Sequence, residues 1–263
     1  MSDSVELVVS AAVATVTLSH PGRFNAMSRR MWRRLREVFD SIECMPELRC
    51  VLLRGDNGNF CAGGDISEYA DFRFQESSLR DFHENEVWTA LQSMLNCAVP
   101  LVAEITGNCM GAGIEMASCC DIRVAGTSAR FGAPIARLGF PMAPREATLV
   151  TREVGLTVTR QMLLEAAIFT ADDMKAASFL SRVVPDDQLH AEVLATVQRI
   201  SALSPQAARL NKQTIRSLVA LGGAESEGDA TVSAPAADSY RYADSVEHRE
   251  GIRAFLEKRA PIF

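Results

Sequence analysis

The stretch Ile105–Asp121, ITGNCMGAGIEMASCCD, decides how the rest of the chain is interpreted. An apolar run from Leu101 to Thr106 leads into it, and this run predicts a buried strand. The small-residue turn Gly111-Ala112-Gly113 follows, and a segment rich in good helix formers comes next. The first N–H groups of a helix have no partner inside it, so this junction can bind a developing negative charge.

Glu115 lies three residues beyond Ala112 and is therefore one turn into the predicted helix, on the same face. This spacing predicts a carboxylate beside an oxyanion-binding site. The alternative is a strand-to-helix corner in which the glycines only ease packing and Glu115 faces solvent. The stretch taken alone favours the packing corner, because short motifs often match by chance.

The composition is that of a globular protein with a large hydrophobic core: 263 residues, 48% hydrophobic and 23% charged. No apolar run approaches the roughly 18 residues needed to span a bilayer, and the N-terminus lacks a signal-peptide pattern. We therefore expect a cytoplasmic protein with no membrane partner. The net charge of -6 argues against nucleic acid as a partner, because that binding depends mainly on neutralising phosphates.

The cysteines and histidines show no pattern typical of a metal site or a disulfide framework. The seven cysteines form no C-x-x-C pair, and most lie inside apolar runs, which predicts buried free thiols in a reducing compartment. The four histidines, at positions 20, 83, 190 and 248, are scattered without metal-ligand spacing. We therefore predict no metal.

A strand, a glycine-rich turn and a helix occur in this order twice, about 50 residues apart. The earlier copy is a buried strand from Cys50 to Leu53, followed after a polar loop by FCAGGDI at 60–66. Repetition of this unit favours an α/β core over an all-α or an all-β fold. Between the two copies, residues 79–98 have the spacing of a long amphipathic helix.

Strand patterns cease after Pro185, and the rest of the chain predicts helices that lack a large core of their own. Such a tail usually packs on something else, and we expect it to serve oligomer assembly. The predicted division is a core over residues 1–195 and a C-terminal helical oligomerisation region over 196–263. Residues 222–240 break the helical pattern and predict a loop or a weak helix.

Five segments, in their order along the chain, resemble the crotonase superfamily of enoyl-CoA hydratases and isomerases. They are LSHPGRFNAM (18–27), FCAGGDI (60–66), ITGNCMGAGIEMASCCDIRVA (105–125), ARFGAPIARLGFP (129–141) and HREGIRAFLEKRAPIF (248–263). The resemblance implies an α/β spiral of repeated ββα units with a C-terminal helical trimerisation region, assembled as a homotrimer or a dimer of trimers. It also implies an acyl-CoA thioester substrate, with coenzyme A carried by the substrate and no separate cofactor.

The resemblance implies a role for particular residues. The backbone N–H groups of Gly64 and Ala112 would hold the thioester oxygen, and loss of one such donor typically costs on the order of 3 kcal/mol in the barrier. Glu115 would be the acid/base, and Phe255 and Lys258 would reach the coenzyme A of a neighbouring subunit. The full set of implied substrate contacts is Arg23, Phe24, Ala26, Ala62, Gly63, Gly64, Asp65, Ile66, Met110, Ala112, Ile135, Phe255 and Lys258.

The chain departs from the family pattern at its second acid/base position. Hydratases of the family use two glutamates, and the second belongs after FG-x-P, where this chain has Ile135. Without that partner, hydration is expected to lose roughly 10²–10⁴-fold in rate unless another group substitutes. Glu146 or Arg145, in the altered segment PMAPRE (141–146), is a candidate substitute; the alternative is that both are surface residues at a helix start.

Three interpretations follow from this departure. We favour an acyl-CoA enzyme of the hydratase or isomerase type in which Glu115 alone moves the proton. The alternatives are an acyl-CoA decarboxylase that relies on the oxyanion site and a non-catalytic acyl-CoA-binding protein. A dinucleotide-binding enzyme is rejected, because GNCMGAG does not match G-x-G-x-x-G.

Overall fold

A computed structural model describes residues 3–221 and 240–263. The predicted loop or weak helix at 222–240 therefore lies outside the described residues, apart from Tyr240, which begins a turn. The described part contains no helix that is both long and apolar enough to cross a membrane.

The described strands form two sheets. The larger sheet has the order β1-β2-β3-β4-β6-β9, in which β1 pairs antiparallel with β2 and the other neighbours are parallel. The smaller sheet has the order β5-β7-β8. Their bounds are β1 Ser4–Ser10, β2 Val13–Ser19, β3 Cys50–Gly55, β4 Leu101–Ile105, β5 Asn108–Met110, β6 Ile122–Gly126, β7 Arg130–Gly132, β8 Ile168–Thr170 and β9 Arg182–Val184.

The helices lie on both faces of the larger sheet and continue beyond it. A π-helical segment, Phe82–Val87, joins α2 to α3, so the predicted helix at 79–98 is confirmed but is not regular. The helix bounds are α1 Arg29–Glu43, α2 Glu76–Asp81, α3 Trp88–Asn96, α4 Ala112–Ser118, α5 Pro144–Val154, α6 Leu156–Leu164, α7 Ala171–Ala176, α8 Leu189–Ser201, α9 Pro205–Leu221 and α10 Val246–Leu256.

The surroundings of strand β3 explain why residues 50–53 form an unbroken apolar run. Val51 and Leu53 belong to the main core, which includes the buried face of α1. Cys50 and Leu52 face the other way and pack with residues of α8. A parallel strand that is covered on both faces needs apolar side chains at every position. The α/β prediction is therefore confirmed, with the sheet at the centre of the core.

Helix α8 crosses the predicted boundary at residue 195 and packs on the sheet through Val193 and Val197. The division into a core and an oligomerisation region stays a prediction. Strands β5, β8 and β9 were not predicted, because a segment of three residues is too short to show a clear alternating pattern.

All seven cysteines are free, and six of them are buried, as expected from their apolar neighbours. Cys44, at the end of α1, is the exposed one. Burial raises the pKa of the Cys61 thiol to about 12 and that of Cys97 to about 11. The buried thiols are therefore held in their protonated form.

Arg123 on β6 joins several elements around α4. Its Nε donates to the carbonyl of Phe179 at 2.6 Å, and its Nη1 donates to the carbonyl of Cys120 at 2.8 Å. The same Nη1 lies 3.1 Å from a carboxylate oxygen of Glu153 on α5. The buried guanidinium thus fixes the C-terminal end of α4 to the sheet and to the next helix.

We expect Arg123→Lys to lower the free energy of unfolding by about 2–4 kcal/mol, because one ammonium cannot satisfy acceptors that a planar guanidinium reaches. Urea unfolding followed by circular dichroism measures this. The control is Arg199→Lys on the exposed side of α8, for which about 0–1 kcal/mol is expected. Equal losses in both variants would show that the buried network contributes no more than a surface pair.

Candidate active site

Two glycine-containing segments, one from each strand–turn–helix unit, lie side by side. The N–H of Cys61 donates to the carbonyl of Asn108 at 2.8 Å, and the N–H of Met110 donates to the carbonyl of Cys61 at 2.9 Å. Cys61 and Cys109 thus form a parallel bridge outside the regular ladders. The two turns predicted from the sequence as separate motifs are therefore parts of one surface.

The close approach of these segments depends on glycine. A Cβ on Gly113 would lie only 2.7 Å from the carbonyl oxygen of Cys61, which no ordinary packing contact permits. Gly111 has φ +46°, and a Cβ there would lie 3.6 Å from the Cα of Gly63. Left-handed backbone and backbone-to-backbone contact together leave room only for glycine at this junction.

Gly64 and Ala112 follow the paired segments and each carry an unengaged backbone N–H. Ala112 is the first residue of α4, so its N–H has no acceptor within the helix. Neither N–H donates to any acceptor in the described part of the chain. Both residues border the same cavity. Two unengaged donors that border one cavity can together stabilise an oxygen that becomes negatively charged.

The cavity has a volume of about 310 Å³ and is mainly apolar. Its polar side chains are few, and they come from separate elements: Tyr69, Arg73, His83, Glu115 and Arg137. The Arg73 guanidinium lies against two aromatic rings, with its carbon 4.4 Å from the ring centre of Tyr69 and 3.9 Å from that of Phe140. The arrangement is that of a small-molecule site with a few directed polar groups.

Glu115 borders this cavity and is half-buried. Burial raises the pKa of Glu115 from its ordinary value of 4.5 to about 8, and the negative charge of Glu146 adds to the rise. A carboxyl whose pKa lies near neutrality can both give and accept a proton in the physiological range. The packing-corner alternative for this stretch does not account for such a placement.

Many of the residues expected to contact the substrate border this one cavity. They are Ala62, Gly63, Gly64, Ile66, Met110, Ala112, Glu115 and Ile135. Their roles stay predictions, but they come from separated stretches of sequence that the fold has brought together.

Arg23, Phe24, Ala26 and Asp65 do not border the cavity in the described structure. The N–H of Ala62 donates to the carbonyl of Phe24 at 3.0 Å. Asp65 is buried, and its carboxylate caps a short 3₁₀ turn by accepting from the N–H of Ser67 at 3.0 Å. Asp65 thus has a structural role that the sequence pattern did not indicate.

Phe255 and Lys258 are exposed and do not reach the cavity of their own chain. Phe255 lies near the end of α10 with 81% of its surface exposed, and Lys258 follows that helix. Their expected reach to a neighbouring subunit stays a prediction.

Glu146 is not the surface residue that its position at a helix start suggested. It is only 2% exposed, and its Oε1 lies 3.0 Å from Nδ1 of His83, which borders the cavity. Arg145, in contrast, is on the surface and pairs with Glu84 at 3.2 Å. Sequence reasoning missed His83, because no motif connects residues that are 63 positions apart.

The raised pKa of Glu115 has a consequence for stability. Because the folded-state value lies above the unfolded value of 4.5, the folded protein binds more protons between these two pH values. The free energy of unfolding therefore falls as pH rises from about 4.5 to 8, by at most about 5 kcal/mol from this group. Glu115→Gln removes this dependence.

We expect Glu115→Gln to be more stable than the wild type at pH 9 and to lose this advantage at pH 4.5. Urea unfolding of both proteins across this range measures the difference. Parallel stability curves for the two proteins would contradict a raised pKa at Glu115.

Comparisons with known proteins identify the family of the chain. The model of the enoyl-CoA hydratase/isomerase family matches residues 9–263. A probable enoyl-CoA hydratase of Mycobacterium tuberculosis is 30% identical over 251 residues, which cover 95% of this chain and 94% of the relative. A 2,3-dehydroadipyl-CoA hydratase of Escherichia coli is 30% identical over 262 residues, which cover 98% of each protein.

Solved structures also match over nearly the whole chain. The crystal structure of an enoyl-CoA hydratase/carnithine racemase from Magnetospirillum magneticum has a TM-score of 0.91 and 37% identity, and the match covers 98% of this chain and 94% of that one. A putative enoyl-CoA hydratase/isomerase family protein from Hyphomonas neptunium has a TM-score of 0.88 and 29% identity, with coverage of 98% and 97%. These matches confirm the crotonase-like α/β fold implied by the sequence motifs. The chain therefore belongs to the enoyl-CoA hydratase/isomerase family of the crotonase superfamily, whose enzymes act on acyl-CoA thioesters.

Proposed function

We propose that this protein is an acyl-CoA enzyme of the hydratase/isomerase type, in which Glu115 moves a proton next to an oxyanion-binding pair of N–H groups. The observation that carries this proposal is the position of the Glu115 carboxyl, in the same cavity as the free N–H groups of Gly64 and Ala112. The reaction needs no cofactor beyond the coenzyme A that the substrate carries.

Isomerisation of a 3-enoyl thioester follows directly from these groups. The ionised Glu115 removes a proton from C2, and the electrons of that C–H bond delocalise into the thioester oxygen as a dienolate. The N–H groups of Gly64 and Ala112 stabilise that oxygen. Because the backbone already holds these donors in place, they need not reorganise during the reaction. Glu115 then returns the proton at C4, and the double bond ends between C2 and C3.

The acyl group that fits the cavity is mainly a hydrocarbon chain. Trp32, Phe82, Val87 and Leu138 border the cavity and offer only apolar atoms or ring faces to most of it. Ile135 borders it too, at the position where a second glutamate was expected, so it adds an apolar contact without a proton donor or acceptor.

Assembly as a homotrimer or a dimer of trimers is part of the proposal. Large apolar side chains on and after α10 are unusually exposed for a monomer: Val246 84%, Phe255 81%, Leu256 74% and Ile262 83%. Association through this region would cover them and bring Phe255 and Lys258 towards the coenzyme A of a neighbouring subunit.

We expect Glu115→Gln to lower kcat for isomerisation of a 3-enoyl-CoA by about 10²–10⁴-fold, because the amide cannot accept the C2 proton. The change in absorbance as the conjugated 2-enoyl thioester forms measures the rate. Glu165→Gln, at the exposed end of α6, is the matched control and should keep wild-type activity.

Full activity in Glu115→Gln would show that another group is the base. Acyl-CoA binding by the wild type without turnover of either 3-enoyl-CoA or crotonyl-CoA would favour a binding protein. Release of carbon dioxide from a carboxyacyl-CoA without isomerisation would favour a decarboxylase.

The pKa of Glu115 also sets the pH dependence of isomerisation. Because the ionised carboxylate is the form that accepts the proton, kcat/KM should rise with pH and level off above about 8. Initial rates with a 3-enoyl-CoA between about pH 4 and 9.5 check this. A profile that is flat across pH 8, or that rises only around pH 4–5, would contradict the assignment.

A further inference from the structure

A buried carboxylate and a histidine form a pair at the edge of the cavity that holds Glu115. Nδ1 of His83 lies 3.0 Å from Oε1 of Glu146, and the Glu146 side chain is only 2% exposed. The His83 side chain is 21% exposed and borders the cavity. The charge of Glu146 also contributes to the raised pKa of Glu115, so the pair and Glu115 are electrostatically coupled.

Two irregular features of the chain create this pair. His83 lies in the π-helical segment between α2 and α3, where the N–H of Trp88 donates to the carbonyl of His83. Such segments are rare and occur frequently at functional sites, since the widened turn changes the direction of its side chains. Glu146 lies in the first turn of α5, directly after residues 141–143, which border the cavity.

The chemistry of the pair is directional. Because Nδ1 is paired with the Glu146 carboxylate, Nε2 is the ring nitrogen left for proton transfer. Nε2 has no partner in the described part of the chain. A carboxylate on one imidazole nitrogen fixes the orientation of the ring and stabilises the imidazolium that forms when the other nitrogen accepts a proton. His83 is therefore equipped to act as a base towards a molecule in the cavity.

The other polar side chains of the cavity are not suited to this task. Burial raises the pKa of Tyr69, which keeps its hydroxyl protonated at neutral pH. Arg73 and Arg137 carry guanidinium groups, which do not give up a proton in proteins. Among the described side chains that border the cavity, His83 and Glu115 are thus the ones that can accept a proton.

We propose that His83, oriented by Glu146, is the second proton-transferring group of this site and serves where Ile135 leaves no carboxylate. His83 is the catalytic residue, and Glu146 is a positioning residue that acts through it. The inference rests on the proposed function, and it assigns water addition to a 2-enoyl thioester as an activity of the same site.

Water addition to the 2-enoyl thioester uses two proton-transferring groups, His83 and Glu115. Neutral Nε2 of His83 takes a proton from water as the water oxygen forms a bond to C3, and the C2=C3 π electrons move into the thioester as an enolate. The N–H groups of Gly64 and Ala112 stabilise the enolate oxygen. Protonated Glu115 gives its proton to C2, the enolate collapses to a 3-hydroxyacyl thioester, and the proton on His83 returns to Glu115 through solvent.

The test compares hydration of crotonyl-CoA with isomerisation of a 3-enoyl-CoA in the wild type, His83→Asn, Glu146→Gln and the double variant. A second histidine–glutamate pair serves as a matched control, because His190 and Glu104 lie 3.3 Å apart and do not border the cavity. His190→Asn and Glu104→Gln should leave both activities within about twofold of wild type.

We expect His83→Asn to lower kcat for hydration by about 10²–10⁴-fold and to change isomerisation and the Kd for acyl-CoA by less than about threefold. Glu146→Gln should lower hydration less, and the double variant should be no slower than His83→Asn, because the two residues act as one unit.

The pH profile separates this role from a structural one. Hydration needs protonated Glu115, so its kcat/KM should fall above about pH 8, where isomerisation is at its highest. Glu146→Gln should move this fall to lower pH, because loss of the Glu146 charge lowers the pKa of Glu115.

Hydration that persists within about threefold in His83→Asn, while wild-type isomerisation depends on Glu115, would overturn this inference and leave the proposed function standing. An equal loss of hydration and isomerisation in His83→Asn would also overturn it, because that result indicates a structural role. Release of free coenzyme A thiol in a His83-dependent manner would overturn the assignment to hydration, since water would then attack the thioester carbon. A wild type that turns over neither substrate would overturn both.

Discussion

The hydrogen bonds between Cys61 and the segment around Cys109 are the contact on which the site depends. They hold two turns, from units about 50 residues apart, so close that glycine is required where the backbones meet. Each chain segment continues from this contact to one free N–H. Neither turn alone would form a two-donor site, since each supplies a single free N–H group. The pairing brings the two local motifs together at the border of one cavity.

The same packing that makes the surface also puts an acid where water is scarce. Glu115 enters the cavity one turn after the Ala112 N–H, and burial there opposes its ionisation. A stable fold would prefer a neutral side chain at this position, whereas proton transfer requires a group that changes charge. The buried Arg123 network beneath α4 keeps the helix in place around this unfavourable residue. The Arg123 network thus stabilises the fold around Glu115, whose burial is unfavourable for stability.

Much of the fold was predictable, because β3, α1 and the two glycine-rich turns carry strong local patterns. The resemblance of their motifs to the crotonase superfamily already implied a joint site for Gly64, Ala112 and Glu115. His83 and Glu146 were not predictable, since their contact depends on a π-helical register shift and on the path of the segment before α5. Neither feature leaves a trace in hydrophobic periodicity. The short strands β8 and β9 were missed for the related reason that tertiary pairing, not local sequence, defines them.

Because six cysteines are buried and one is exposed, alkylation of the thiols can report local opening of the folded structure. Because the thiolate is the reactive form, the six buried cysteines are inert towards alkylating reagents while the fold is closed. Cys44, exposed at the end of α1, is accessible in every state and supplies an internal reference within the same molecule. Mass spectrometry of the alkylated peptides would then show the order in which the buried cysteines become accessible. No engineered label is needed.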